Sequence, residues 1–230
     1  MPLINVIIPA YNEEKSIAKV IKAIPPGLVA EVIVVNNNST DATASVAAEA
    51  GATVLHEPNA GYGNACLKAI DYVAAKSAAT QPDIIVFLDG DFSDFPEEMP
   101  KLVQPILQKD ADLVIGSRAL GQREYGAMMP QQIFGNWLAT TLLKWMYKAR
   151  FTDLGPFRAI KLQTLLDLDM RDRTYGWTVE MQAKAARKRI KYAEVPVSYR
   201  RRIGTSKVSG TVKGTLMAGY KIIFTIFKYV

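Results

Sequence analysis

The chain has 230 residues, about half of them apolar, with a net charge of +6, one histidine and one cysteine. That length and apolar fraction suit one sizeable core in one domain. Cys66 alone excludes an intramolecular disulfide and a cysteine-rich zinc site, so a reducing cytoplasm is the expected setting. Met1 runs almost directly into an apolar segment, so no basic-then-apolar leader is expected.

The charge is uneven. From Met181 to Val230 there are twelve Lys/Arg and one acid, Glu194, which puts +11 on that end and −5 on the rest. A basic end on an acidic chain points to an anionic partner such as phosphates or a membrane surface. Nucleic acid would rest on this charge alone and is not expected.

In chain order, Ile4 to Pro9 reads as a strand, Ser16 to Ala23 as a helix, and Val32 to Val35 as a β-branched strand. Asp41 to Ala50 is an Ala-rich helix with a carboxylate at its start, where free N–H groups need acceptors. Thr53 to Leu55 is a short strand, Asn64 to Ala75 a helix, Ile84 to Leu88 a continuous apolar strand, Glu97 to Lys109 a helix and Leu113 to Ile115 a strand. Apolar strands alternating with helices indicate a mostly parallel sheet covered on both faces. The second half is less regular: Gln132 to Arg150 and Thr178 to Arg189 read as helices, and Ala193 to Tyr199 alternates like a strand.

In such sheets ligands bind outside the carboxyl ends of the strands. Four polar clusters fall there. Pro9-Ala10-Tyr11-Asn12-Glu13 ends the first strand: Tyr11 could pack on a nucleobase and Glu13 could accept from base or ribose, or the segment simply caps the next helix. Asn36-Asn37-Asn38 ends the second and could read a base edge, though alone it reads as a turn. Gly61-Tyr62-Gly63 precedes a helix whose N-terminus favours phosphate. Asp89-Gly90-Asp91 places two carboxylates one residue apart, a pair that suits Mg2+ or Mn2+ together with substrate phosphates.

In this order the clusters resemble the sugar-nucleotide half of the inverting family-two glycosyltransferases. The resemblance continues through Gly116-Ser117-Arg118, Asp153-Leu154-Gly155-Pro156-Phe157-Arg158, Val195-Pro196-Val197 and the late basic run Arg202, Gly204-Thr205-Ser206-Lys207. It spans about residues 3 to 208, and the nearest branch resembles the dolichyl- or polyprenyl-phosphate hexose synthases. It implies a GT-A (Rossmann-like) α/β fold over residues 1–208 and a nucleoside-diphosphate sugar, UDP- or GDP-hexose, as donor. By the same resemblance Pro9, Tyr11, Glu13 and Asn37 would contact the nucleoside, Asp89 and Asp91 the metal and diphosphate, and Arg118 and Arg202 the phosphates of donor or acceptor. Asn36, Gly61, Gly63, Arg158 and Lys207 complete the expected substrate-binding set. Many relatives carry Asp at Asn36 and a basic residue at Tyr62.

Inverting transfer needs an attacking oxygen, and a hydroxyl acceptor usually needs a general base. A phosphate monoester is mostly dianionic at neutral pH. The sequence lacks the Glu-Asp pair that many hydroxyl-using relatives carry, which favours a polyprenyl or dolichyl phosphate acceptor. Asp153 is the candidate catalytic carboxylate, with orientation of Arg158 as its alternative role. Glu180 is expected to form an ion pair, and His56 to be structural. A glycosyltransferase with a hydroxyl acceptor, a nucleotidyltransferase and a non-catalytic binding module remain alternatives, and a homo-oligomer stays open.

Residues 209–230 predict a C-terminal amphipathic helix. Lys213, Lys221 and Lys228 fall within about an 80° arc at 100° per residue. Val212, Leu216, Tyr220, Ile223, Phe227 and Val230 form an apolar stripe. Such a helix can lie in a membrane interface with its lysines near lipid phosphates, or pack on the protein. The expectation is a cytoplasmic protein held peripherally at the inner face of the membrane.

Overall fold

The computed structural model describes residues 2–204 and 212–229. Its elements are β1 (Ile4–Ala10), α1 (Ile17–Ala23), β2 (Glu31–Asn36), α2 (Thr43–Glu49), β3 (Thr53–His56), α3 (Tyr62–Ala74), β4 (Ile84–Phe87), α4 (Met99–Leu107), β5 (Leu113–Ser117), α5 (Pro130–Tyr147), β6 (Arg158–Lys161), α6 (Leu162–Leu168), α7 (Trp177–Arg187), β7 (Tyr192–Pro196) and α8 (Val212–Lys228). The seven strands form one sheet in the order β3-β2-β1-β4-β6-β5-β7. Strands β1 to β4 pair in parallel, as do β5 and β7, while β6 runs antiparallel between β4 and β5.

The pattern of β1 shows why both faces are covered. Ile4, Val6 and Ile8 pack towards one side with Ile17, Val20, Leu102 and Val103 of α1 and α4. Ile7 packs towards the other, with residues of α3, α5, α6 and α7. Every residue of β1 is buried, and each fully buried Ile or Val contributes about 1.5–3 kcal/mol. Helix α1 stops at Ile24 because Pro25 and Pro26 follow. Helix α2 begins at Thr43, two residues after the expected start, and Asp41 just before it accepts the Thr43 N–H on Oδ1 at 3.0 Å.

The sheet differs from the sequence expectation at β6 and α6, which were not anticipated. The strand between β4 and β5 is not the next in sequence but the antiparallel Arg158–Lys161. Its position brings the 151–157 loop back across the carboxyl end of β5. That geometry decides the fate of Arg118, Asp153 and Arg158.

Helix α8 packs against α5 and α7. Thr225 and Ile226 are buried there, the Tyr147 hydroxyl donates to the Ile226 carbonyl at 2.5 Å, and the Tyr229 hydroxyl donates to Glu180 at 2.7 Å. Lys221, expected on the outward lysine face, instead pairs with Asp172 at 3.1 Å. Tyr220, Phe224 and Phe227 are exposed. Among the described residues no helix is long and apolar enough to cross a membrane.

Candidate active site

A cavity of about 600 Å3 opens at the carboxyl ends of β1, β2, β4 and β5. Pro9, Tyr11, Glu13, Asn37, Gly61, Asp89, Asp91, Arg118 and Arg202 line it, bringing together nine of the residues expected from the sequence. The far wall comes from the start of α5 (Gln131, Gln132, Gly135), the residues entering α7 (Tyr175, Trp177) and Gly219 and Ile222 of α8.

Tyr11 follows β1 and is 44% exposed, a free ring at the rim where a planar base could stack. Glu13 is buried and held from several sides at the cavity wall. Its backbone carbonyl accepts from the N–H groups of Ser16 and Ile17 at the start of α1, and its carboxylate accepts from Ser16 Oγ and from Arg202. Asn12 adopts φ +53 and accepts the Thr40 N–H, stitching the loop after β1 to the loop after β2. The left-handed backbone there suits asparagine. The Asn37 amide donates to the carbonyls of Glu57 and Asn59 and accepts from Gly61 N–H, so it shapes the 57–61 loop that forms this wall.

The centre is the turn after β4. Asp91 Oδ1 accepts from Ser93 N–H at 2.9 Å and Ser93 Oγ at 2.5 Å. Between them Phe92 holds φ +63, a strained conformation for an aromatic residue. Arg200 clamps it: the guanidinium stacks on Phe92 at 3.5 Å and Phe95 at 4.1 Å, and donates to the carbonyls of Phe92 and Asp94. The clamp fixes Asp91 relative to Asp89, which accepts from the Tyr62 hydroxyl at 3.1 Å. Tyr62 thus meets Asp89 with a neutral donor.

Negative charge is in excess here. Burial, then the charge of Asp91, raises the Asp89 pKa to about 7, against lowering by Tyr62, Arg202 and Arg118. Asp94 is buried with neither carboxylate oxygen partnered, and burial together with Asp89 and Asp91 pushes it well up. A divalent cation is the natural counterweight for Asp89 and Asp91. The folded protein, free of metal, holds a proton on Asp89 that the unfolded chain loses near pH 4. The resulting penalty is absent at low pH and complete above about 7. Asp89→Asn should therefore raise metal-free stability by roughly 4 kcal/mol at pH 8 and leave it almost unchanged at pH 4, as read from denaturant melts at the two pH values.

Other expected residues lie elsewhere. Arg158 is fully buried and donates to the carbonyls of Leu154, Gly155 and Thr178, so it is spent on holding the 154–158 turn. Asp153 does not orient Arg158. It binds Arg118 through two parallel bonds at 2.7 and 2.8 Å and accepts the Arg118 backbone N–H, because the antiparallel β6 returns its loop beside β5. Asp153 lines a smaller cavity of about 200 Å3 that shares Met128 and Asn136 with the main one. Asn36 is turned to His56 at 3.3 Å and to Ser39, outside the cavity lining. Gly61 and Gly63 serve a close approach of chain to chain: a side chain at either would overlap the backbone of Asp172 or Arg173, whose carbonyl accepts the Asn64 N–H at 3.1 Å. Glu180 is buried and pairs with Lys184 at 2.7 Å. Lys207 lies outside the described residues. Sequence reasoning missed Arg200, Asp94 and Trp177; the third acid of Asp89-Gly90-Asp91-Phe92-Ser93-Asp94 was the one available signal.

Residues 5–166 match the model of glycosyl transferase family 2. A glycosyltransferase of Mycobacterium tuberculosis is 39% identical over 223 residues, covering 94% of each chain. The undecaprenyl-phosphate mannosyltransferase of Micrococcus luteus is 30% identical over 223 residues, covering 90% of this chain and 88% of its own. Among solved structures, the glucosyl-3-phosphoglycerate synthase of M. tuberculosis, crystallised with Mn2+, uridine diphosphate and glucosyl-3-phosphoglycerate, shares the fold with a TM-score of 0.76 at 24% identity. It covers 99% of this chain and 80% of that one. The expected GT-A architecture is thus present, the matched segment carries the strand ends that build the cavity, and the chain belongs to glycosyl transferase family 2 as a glycosyltransferase.

Proposed function

We propose that the protein transfers a hexose, with inversion, from a UDP- or GDP-hexose to a polyprenyl phosphate at a membrane surface, with Mg2+ or Mn2+ held by Asp89 and Asp91. The donor half rests on Tyr11, Glu13 and the acidic turn. The fit of a metal is supported by the surplus of buried carboxylate. Among the described residues no three metal-capable side chains converge, which suits an ion that takes one or two carboxylates and completes its shell with diphosphate oxygens. When bound, such an ion would offset the charge that builds on the departing diphosphate.

The observation that carries the acceptor reading is the state of the carboxylates. Those lining the cavity are Glu13, Asp89 and Asp91, all on the donor side. Asp153, the candidate base, is doubly bonded to Arg118 and 1% exposed. An acceptor that arrives already ionised needs no proton removed, and a phosphate monoester does so. Tyr11 and Pro9 would orient the nucleoside, and Gly61 N–H is already spent on Asn37. The Arg118–Asp153 pair would hold the β5 corner rigid under the reacting groups.

A lipid-borne acceptor is further supported by the surface beside the mouth. Helices α5 and α8 lie side by side and both line the cavity. They expose Phe134 (60%), Trp137 (58%), Trp145 (77%), Tyr220 (65%) and Phe227 (52%). Monomeric soluble proteins seldom expose so many neighbouring aromatic residues, and rings at a membrane interface are favoured. Lys144, Lys148 and Lys228 on these helices or at their ends suit an anionic bilayer.

The test is a screen of UDP- and GDP-hexoses with Mn2+, with and without polyprenyl phosphate. Transfer to the lipid phosphate and none to soluble sugar hydroxyls is expected. Transfer to a soluble hydroxyl without lipid would contradict the acceptor reading. In parallel, Phe134→Glu with Trp145→Glu should weaken binding to anionic vesicles at least tenfold while leaving nucleotide binding intact; unchanged flotation would remove the membrane role.

A further inference from the structure

The family resemblance implies that Arg202 faces phosphates of donor or acceptor, yet its guanidinium sits on the acidic corner. One nitrogen is 3.2 Å from Asp91 Oδ2 and another 3.0 Å from Glu13 Oε1. The third, Nε, is buried with no partner. A guanidinium has five N–H donors in a planar fork, and here the fork is poorly used. Its contacts are spread over two carboxylates on different loops, not paired on one. The backbone beside it is fixed, since Ile203 N–H donates to the Asp91 carbonyl at 2.9 Å. The side chain thus projects from a held backbone onto Asp91 and Glu13.

We propose that Arg202 is a stand-in cation, which neutralises Asp91 in the metal-free protein, leaves that carboxylate when a divalent cation takes it, and then binds the diphosphate of the donor. The inference rests on the metal-dependent reading of Asp89 and Asp91. Two positive groups cannot share Asp91 Oδ2 without strong repulsion, and a diphosphate offers the fork what it lacks, paired anionic oxygens on one group. The same exchange couples the two ligands. Metal frees the arginine that the nucleotide needs, and the nucleotide holds the arginine away from the metal site, so each raises the affinity of the other by one common factor. It also explains how a corner holding Asp89, Asp91 and Asp94 stays folded before metal arrives.

The exchange predicts opposite effects on two ligands from one substitution. Mn2+ binding, read by electron paramagnetic resonance of the free ion, is measured for wild type, Arg202→Gln and Arg202→Lys without nucleotide. Calorimetry then gives the affinity for UDP and GDP in saturating Mn2+. Arg202→Gln should bind Mn2+ alone at least threefold more tightly and the diphosphate at least tenfold more weakly. Arg202→Lys keeps the charge but cannot bridge Asp91 and Glu13, so its Mn2+ affinity should fall between the two. Circular dichroism melts of each variant establish that folded protein is compared. If Arg202→Gln binds Mn2+ no more tightly than wild type, or Arg202→Lys matches wild type, the exchange is wrong while the metal site stands. If wild type takes up no Mn2+ with or without diphosphate, the metal reading falls and the exchange with it.

Discussion

Asp91→Asn should lower glycosyl transfer by about a thousandfold while leaving the protein folded. The amide keeps an oxygen for Ser93 N–H and Ser93 Oγ, so the strained turn at Phe92 retains its support. What goes is the charge on the oxygen that faces Arg202 and, in the proposed complex, the metal. Initial rates at saturating donor and Mn2+ measure the loss, and a melting temperature within a few degrees of wild type shows that the fold survives. A variant with a tenth or more of wild-type activity would move the chemistry away from this turn.

The second large effect concerns stability. Arg158 matches a family motif and was expected to bind substrate, but its guanidinium is buried under the sheet and spent on three carbonyls. Arg158→Met fills similar volume and leaves the carbonyls of Leu154, Gly155 and Thr178 without their donor. Burial already draws the arginine pKa down to about 10, yet the group stays charged at neutral pH. Losing it should cost about 3–5 kcal/mol, a large share of the 5–15 kcal/mol typical of a domain. Urea unfolding reads the loss directly. Nucleotide affinity, measured on the fraction that remains folded, should change little. A stable Arg158→Met protein with weakened donor binding would return this residue to the substrate set.

These two residues show what the sequence discloses and what it hides. The parallel strands and the polar clusters at their ends were legible because continuous Ile/Val runs and Asn, Asp and Gly turns are local signals. So was the placing of Asp89, Asp91 and Tyr11 at strand ends around one cavity. Strand β6 was not: Arg158-Ala159-Ile160-Lys161 has two apolar residues between two charges, too short a run to read as a buried strand. Missing that strand meant missing its consequence, the return of Asp153 to Arg118, a contact between residues 35 apart in sequence. The pairings of Arg200 and Arg202 span more than 100 residues and follow from β7 lying beside β5. Gly61 and Gly63 pack against the Asp172–Arg173 backbone, a close approach between segments more than 100 residues apart that no local signal discloses.

The account depends on Asp89 and Asp91 acting together on a metal-bound diphosphate. Calorimetric titration of UDP and GDP into the protein, with Mn2+ and with a chelator, tests this most directly. One of the two nucleotides should bind at least tenfold more tightly with Mn2+, and Asp89→Asn and Asp91→Asn should each abolish that gain. Equal affinity in Mn2+ and chelator, or a gain that persists in both variants, would contradict it.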